Sequence, residues 1–236
     1  MIPLGDSVPR QSWPVVTWTL IGLNIWIFFY ELLLGPELEA FVRTWGLVPA
    51  RYFLLGDLYP EEWMARYLPL VTCIFLHGGW AHLIGNMIYL GIFGDNVEDR
   101  LGHGRYLLFY LAAGVCAGLV QAHLHPDSTI PTIGASGAIS GVLGGFLLLF
   151  PTARVFTLVP LLLLFPIVEL PAVTYLGLWF LMQLFSGTIA LALVGESGGV
   201  AWWAHVGGFV AGMALAPVLR RRQSYPRVWR DRYASW

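Results

Sequence analysis

Long apolar runs separated by short polar segments dominate the chain. Six of these runs approach or exceed the length of about 20 residues that an α-helix needs to cross the hydrocarbon core of a bilayer. They lie at 15–34, 71–93, 106–122, 136–151, 172–194 and 201–219. The pattern predicts an all-α polytopic membrane protein, in which six transmembrane helices form one bundle.

Two further segments are long but do not fit the pattern of a span. Residues 35–67 mix carboxylates with Trp and Tyr, which predicts an outer loop lying in the membrane interface. Residues 152–170 are apolar, but Pro160 and Pro166 interrupt them, and we expect an interfacial or partly dipping connection. The domain prediction is an N-terminal cytoplasmic segment (1–14), a membrane domain (15–219) and an Arg-rich cytoplasmic tail (220–236).

Composition agrees with a membrane location. Of the 236 residues, 57% are hydrophobic and only 11% are charged, against about 25% charged in soluble domains. Membrane lipids are therefore expected partners, whereas nucleic acid is not. Cys73 and Cys116 both lie in apolar runs, where buried free thiols are more common than a disulfide or a metal site. We expect no metal and no cofactor.

The arginines predict the orientation of the chain in the membrane. All 13 basic residues are arginine, and cytoplasmic loops of membrane proteins carry an excess of Lys and Arg. With six spans and the N-terminus inside, ten arginines fall on the inner side, and only Arg43, Arg51 and Arg66 fall outside. The distribution favours an orientation with both termini inside (N-in/C-in).

Ser136 opens the fourth run in a Gly-x-Ser-Gly context. Gly137, Gly141 and Gly145 follow at intervals of four, so they share one helix face on which another backbone can approach closely. Such spacing is by itself more typical of helix packing than of catalysis. The sixth run offers a matching bare face after His205, formed by Gly207, Gly208 and Gly212.

Four polar side chains fall at one outer level, because the second, fourth and sixth spans run in the same direction. Ser136 begins the fourth span, His205 lies four residues into the sixth, and His82 and Asn86 share one face of the second. Polar groups in spans are costly and usually serve a function. His205 could act as the base that activates Ser136, while His82 and Asn86 could donate to an oxyanion.

Neighbouring polar residues give weaker alternatives. No Asp or Glu lies in the outer half of these three spans, so we predict a Ser–His dyad without an acidic third member. Ser140 shares a face with Ser136 but lacks a glycine two residues before it, which disfavours it as the nucleophile. His77 is expected at the interface, and His205 taken alone could equally be a packing histidine.

Three motifs carry a family resemblance between about Val71 and Pro217. They are Gly134-Ala-Ser136-Gly, Ala204-His205-Val-Gly-Gly-Phe-Val-Ala-Gly212 and His77-Gly-Gly-Trp-Ala-His82-Leu-Ile-Gly-Asn86. Together they resemble the rhomboid family of intramembrane serine proteases. The resemblance implies a catalytic Ser136 and His205, with His82, Asn86 and the Ser136 amide as oxyanion donors. It also implies that the substrates are membrane-spanning proteins cut near their outer ends.

Two positions depart from the family pattern. Leu68-Pro69 stands where many members carry Trp-Arg in the first loop, and Ser140 stands where some members place an aromatic ring under the base. Trp202 or Phe209 could supply that ring instead.

Two alternative functions have to be compared with the protease function. A catalytically inactive rhomboid-like protein would bind transmembrane helices without cutting them, although both dyad residues are present. A small transporter would be expected to show inverted repeats and charges in mid-span, and neither is evident. The compact chain favours a bacterial inner membrane as its location.

Overall fold

The structure, a computed structural model, describes residues 1–159, 165–192 and 200–221. In chain order, its α-helices and strands are β1 (Ile2–Asp6), α1 (Val15–Leu33), α2 (Leu38–Trp45), α3 (Pro49–Leu58), α4 (Trp63–Tyr67), α5 (Pro69–Thr72), α6 (Trp80–Leu101), α7 (His103–Leu124), α8 (Ser136–Leu149), β2 (Arg154–Leu158), β3 (Ile167–Pro171), α9 (Ala172–Ala192) and α10 (Trp202–Leu219). The chain is mostly helical, as the sequence predicts.

Each of the six predicted runs overlaps one of the longer helices, namely α1, α6, α7, α8, α9 and α10. By length and composition, α1, α7, α9 and α10 could each cross a membrane. A fifth span results if α6 is joined to the helical segment before it, from which it is bent by 81°. The chain is thus a multi-pass membrane protein, while six spans and the N-in/C-in orientation stay predictions.

The second helix begins later than the sequence indicates. The apolar run starts at residue 71, but α6 starts at Trp80 and continues to Leu101. Gly79, with φ of +150°, ends the preceding turn in a conformation that side chains rarely adopt. The loop at 76–79 therefore separates α6 from the short helices before it and brings His77 close to the face of α6.

Helix α8 is the centre of the bundle, and residues Gly137–Phe146 are buried throughout. The predicted contact with α10 is present, and it is a contact between backbones. A Cβ atom added to Gly208 would overlap the carbonyl group of Gly137, and one added to Gly212 would overlap the carbonyl group of Gly141. The glycines thus allow the two helices to pack at a distance that any side chain would prevent.

The outer faces of the bundle are apolar. On α1, Trp26 and Leu33 are exposed, and on α9, Leu181 and Phe185 are exposed. Exposed large apolar side chains on long helices suit contact with lipid rather than with water.

A small three-stranded antiparallel sheet, in the order β1-β2-β3, is a feature that the sequence analysis missed. It pairs the N-terminal segment with part of the 152–170 connection, because Ile2 faces Leu158 and Arg154 faces Pro171. Residues 160–164 of the predicted interfacial connection lie outside the described residues, as do residues 222–236 of the predicted tail.

Carboxylates at the end of α6 hold the N-terminal segment in place. The buried Glu98 accepts hydrogen bonds from the backbone N–H groups of Val16 and Thr17, at 2.9 and 2.8 Å. These N–H groups have no partner within the first turn of α1, so Glu98 caps that helix. Asp99 accepts from the backbone N–H of Gln11 at 2.7 Å.

The position of Asp6 predicts that this end of the molecule is more stable in mild acid. Burial is the largest cause that raises the pKa of Asp6 from 3.8 to about 7; the Val8 N–H opposes the rise and Asp95 adds to it. Between about pH 4 and pH 7 the folded chain therefore binds more protons than the unfolded chain, and stability falls as the pH rises.

We expect the apparent Tm in detergent to be about 2–4 °C higher at pH 5 than at pH 8, and this difference to shrink in Asp6→Asn. The comparison requires scans of both proteins at both pH values. An undiminished difference in Asp6→Asn would assign the pH dependence to another group.

Candidate active site

The loop before α8 presents Ser136 at the N-terminus of that helix. Gly134 has φ of +122°, a conformation that favours glycine. The turn places the Ser136 Oγ 2.8 Å from Nε2 of His205, which lies in the first turn of α10. The contact is possible because the glycine faces of α8 and α10 bring their backbones together.

The His205 ring is buried and contacted on its other side by α9. Its Nδ1 lies 2.8 Å from Oε1 of Gln183, a side chain that is itself only 3% exposed. The Trp179 ring, one turn earlier on α9, lies 6.0 Å from the imidazole at an angle of 34°. Trp202 approaches the imidazole edge-on at 6.3 Å, and Phe209 stacks on Trp179.

His82 lies beside the loop that carries Ser136. A Cβ atom on Gly134 would come within 2.7 Å of the His82 Nε2, so the ring edge lies against the Gly134 backbone. The backbone N–H of Gly78 points at the His82 Nδ1 at 3.4 Å. With Nδ1 as the acceptor of this contact, the proton of a neutral imidazole resides on Nε2, which faces Gly134.

Asn86 lies one turn after His82 on α6 and is held by His77. The Asn86 Nδ2 lies 3.0 Å from the His77 Nε2, and both side chains are buried. The backbone N–H of His77 in turn donates to the buried carboxylate of Glu31, at 3.2 and 3.3 Å. His77 thus supports Asn86, and Glu31 anchors the loop that carries His77.

A cavity of about 1140 Å³ leads to these residues. Ser136, His205, His82, Asn86 and Trp179 all contribute to its lining. A cavity of this size that reaches a Ser–His pair could admit both water and a peptide segment. Within the described residues, no group of three or more His, Cys, Asp or Glu side chains is placed to hold a metal ion.

The structure brings together all four residues that the sequence selected, and it adds two that the sequence analysis missed. Gln183 and Trp179 both lie on α9 and contact His205, whereas the predicted dyad, based on the lack of Asp and Glu in the outer halves of the second, fourth and sixth spans, had no third member. The signal was present, because Gln183 is the only amide in this apolar run and lies four residues after Trp179. The Ser140 hydroxyl donates to the backbone carbonyl of Ser136 at 2.6 Å and makes no hydrogen bond to His205.

The arrangement can perform nucleophilic chemistry. A hydroxyl at hydrogen-bond distance from an imidazole, with the imidazole held by a third group, is the geometry that activates a serine. The N-terminus of α8 and the ring of His82 lie close to Ser136 and could supply N–H donors to a developing negative charge.

A comparison with protein families finds that a model described as Rhomboid domain matches residues 64–222. That range includes Ser136, His205, His82, Asn86 and Gln183.

Individual relatives give the same result. RHOMBOID-like protein 5 of Arabidopsis thaliana is 31% identical over 93% of this chain and 63% of its own length. Rhomboid protease GluP of Bacillus subtilis is 35% identical over 60% of the chain and 26% of its own length. Rhomboid protease AarA of Providencia stuartii is 29% identical over 85% of the chain and 71% of its own length. The chain thus spans less than two thirds of the first two of these relatives.

Proposed function

The chain belongs to the rhomboid family, which includes serine proteases, and we propose that it is an intramembrane serine endopeptidase. The observation that carries the proposal is the 2.8 Å distance between the Ser136 Oγ and the His205 Nε2, at the end of a cavity. Two of its relatives bear the name rhomboid protease.

The proposed reaction has two stages. The Ser136 Oγ attacks the scissile carbonyl while the His205 Nε2 takes the hydroxyl proton, which forms a tetrahedral intermediate. The C–N bond then breaks, the leaving amine receives the proton from His205, and an acyl-enzyme remains on Ser136. In the second stage a water molecule gives its proton to His205 and attacks the ester, after which Ser136 leaves with that proton.

The negative charge on the intermediate needs donors. The Ser136 backbone N–H lies in the first turn of α8 and has no partner within its own helix. The His82 Nε2–H faces Gly134, and the Asn86 amide lines the same cavity. These three groups form the proposed oxyanion site.

Removal of a donor tests that site. We expect His82→Ala and Asn86→Ala each to lower kcat by about 100-fold, because a single oxyanion donor contributes about that much. KM should change little, since the donors act mainly on the intermediate. His123→Ala, a change at an exposed histidine on α7, is the control, and equal losses in all three variants would argue against a specific role.

Membrane-spanning proteins are the proposed substrates, cut in or next to their transmembrane segments. Support comes from α9, which contributes Trp179 to the lining of the cavity and exposes Leu181 and Phe185 on its outer face. The location in a bacterial inner membrane stays a prediction, because relatives are also found in plants and one is named as mitochondrial.

The alternative function is a catalytically inactive protein that binds transmembrane helices, and several relatives are named only as rhomboid-like. Reconstitution in liposomes with a single-span substrate separates the two functions. A protease gives two fragments from a cut near one end of the span. An inactive binder retains the substrate uncut, and this result from folded protein would overturn the proposal.

A further inference from the structure

We propose that Gln183 is a positioning residue for His205 and supplies, from α9, the support that a carboxylate gives in a Ser–His–Asp triad. This inference rests on the proposed function. It assigns a role to a residue that is not among the four site residues of the family motifs, which are Ser136, His205, His82 and Asn86.

The first argument is the proton count on the His205 ring. A neutral imidazole carries one N–H, and a base for Ser136 needs a free lone pair on Nε2. The proton must then lie on Nδ1, which requires an acceptor in a buried site. Gln183 Oε1 lies 2.8 Å from that nitrogen, and its side chain is 3% exposed.

The second argument is the position of Gln183 on its helix. Trp179 and Gln183 are four residues apart, so they share the face of α9 that is turned to α10. Trp179 contacts the His205 ring, and Gln183 contacts its Nδ1. Helix α9 therefore fixes both the tilt and the rotation of the imidazole. Trp179 supplies an aromatic contact that Ser140, on α8, cannot supply.

The third argument concerns charge during the reaction. After His205 takes the proton of Ser136, the ring is an imidazolium, and its Nδ1–H donates more strongly. The amide oxygen of Gln183 can accept that bond without an ionised carboxylate in an apolar bundle, where a buried charge would be costly. A neutral acceptor therefore suits this site.

The test compares two substitutions of similar size. Gln183→Met removes the acceptor and keeps the volume, whereas Gln183→Glu keeps an acceptor. We expect Gln183→Met to lower kcat by about 10- to 100-fold, with KM within about twofold of the parent. We expect Gln183→Glu to retain a kcat clearly above that of Gln183→Met.

Tyr175→Phe is the matched control. It removes another hydrogen bond of α9, the partly buried 2.8 Å contact between the hydroxyl groups of Tyr175 and Tyr89, without touching His205. If Tyr175→Phe loses as much kcat as Gln183→Met, the effect belongs to the packing of α9 and the inference is wrong. A parent-like kcat in Gln183→Met would also overturn it.

A spectroscopic measurement decides the inference without any turnover. The ¹⁵N shifts of labelled His205, assigned by comparison with His205→Ala, report which ring nitrogen carries the proton. We expect a proton on Nδ1 in the parent and a mixture of tautomers in Gln183→Met. A parent protonated on Nε2 would overturn the inference, even if Gln183→Met failed to fold. An inactive parent with the proton on Nδ1 would refute the proposed function alone.

Discussion

Ser136→Ala is expected to lower kcat for a membrane substrate by at least about 10⁴-fold, and His205→Ala by a similar factor. Nucleophile and base act as one unit, so the loss of either removes the activated hydroxyl and the double variant should lose little more. The measurement is the initial rate of fragment formation in liposomes. Ser136→Ala should keep the apparent Tm of the parent within about 2 °C, because the Ser136 side chain is only partly buried. His205→Ala removes a buried ring and should lower the Tm by more.

Ser140→Ala is the matched control for this pair. Ser140 lies one turn later on α8 and donates to the Ser136 carbonyl, so its hydroxyl is not available to His205. We expect its kcat to stay within about threefold of the parent. Cleavage that survives in Ser136→Ala and disappears in Ser140→Ala would transfer the nucleophile to Ser140.

Gly208→Ala is expected to have the largest effect on stability. The added methyl group would overlap the carbonyl group of Gly137, which belongs to a backbone and cannot rotate away. Overpacking of a tight core costs about 1–3 kcal/mol and occasionally more. We expect about 3 kcal/mol here, and activity should fall as well, because the same contact sets the distance from Ser136 to His205.

Gly177→Ala is the control for the second prediction. It makes the same change within α9, where a Cβ atom would meet nothing within 4 Å. Alanine is a better helix former than glycine, so this variant should be as stable as the parent or slightly more stable. Equal Tm values for Gly208→Ala and the parent would show that α8 and α10 do not meet at these glycines.

The sequence allowed the helices and the site to be predicted for separate reasons. The lengths of the apolar runs predicted the helices, because few other structures satisfy all backbone hydrogen-bonding groups inside a bilayer. The spans were predicted to run in the same direction, and four polar residues fall at the same depth along them. Their proximity was predicted from that depth, and they are Ser136, His205, His82 and Asn86. The glycine faces indicated which two helices touch, and the structure has that contact.

Other features could not be read because they depend on partners distant in the chain. The strand β1 has little signal of its own and pairs with β2, about 150 residues later. The separation of Gln183 and His205 along the sequence does not indicate a contact between them. Only the packing of α9 against α10 brings the two side chains together. The buried Glu31 anchors His77 only because the loop at 76–79 brings the His77 backbone N–H to its carboxylate.

The most direct measurement of the central claim is the reaction of the folded protein with a fluorophosphonate, without any substrate. The Ser136 Oγ would form a bond to phosphorus as fluoride leaves and His205 takes the proton. We expect a single adduct, mapped by mass spectrometry to Ser136 and lost in His205→Ala. A folded parent that forms no adduct, or forms it on another serine, would contradict the Ser136–His205 dyad.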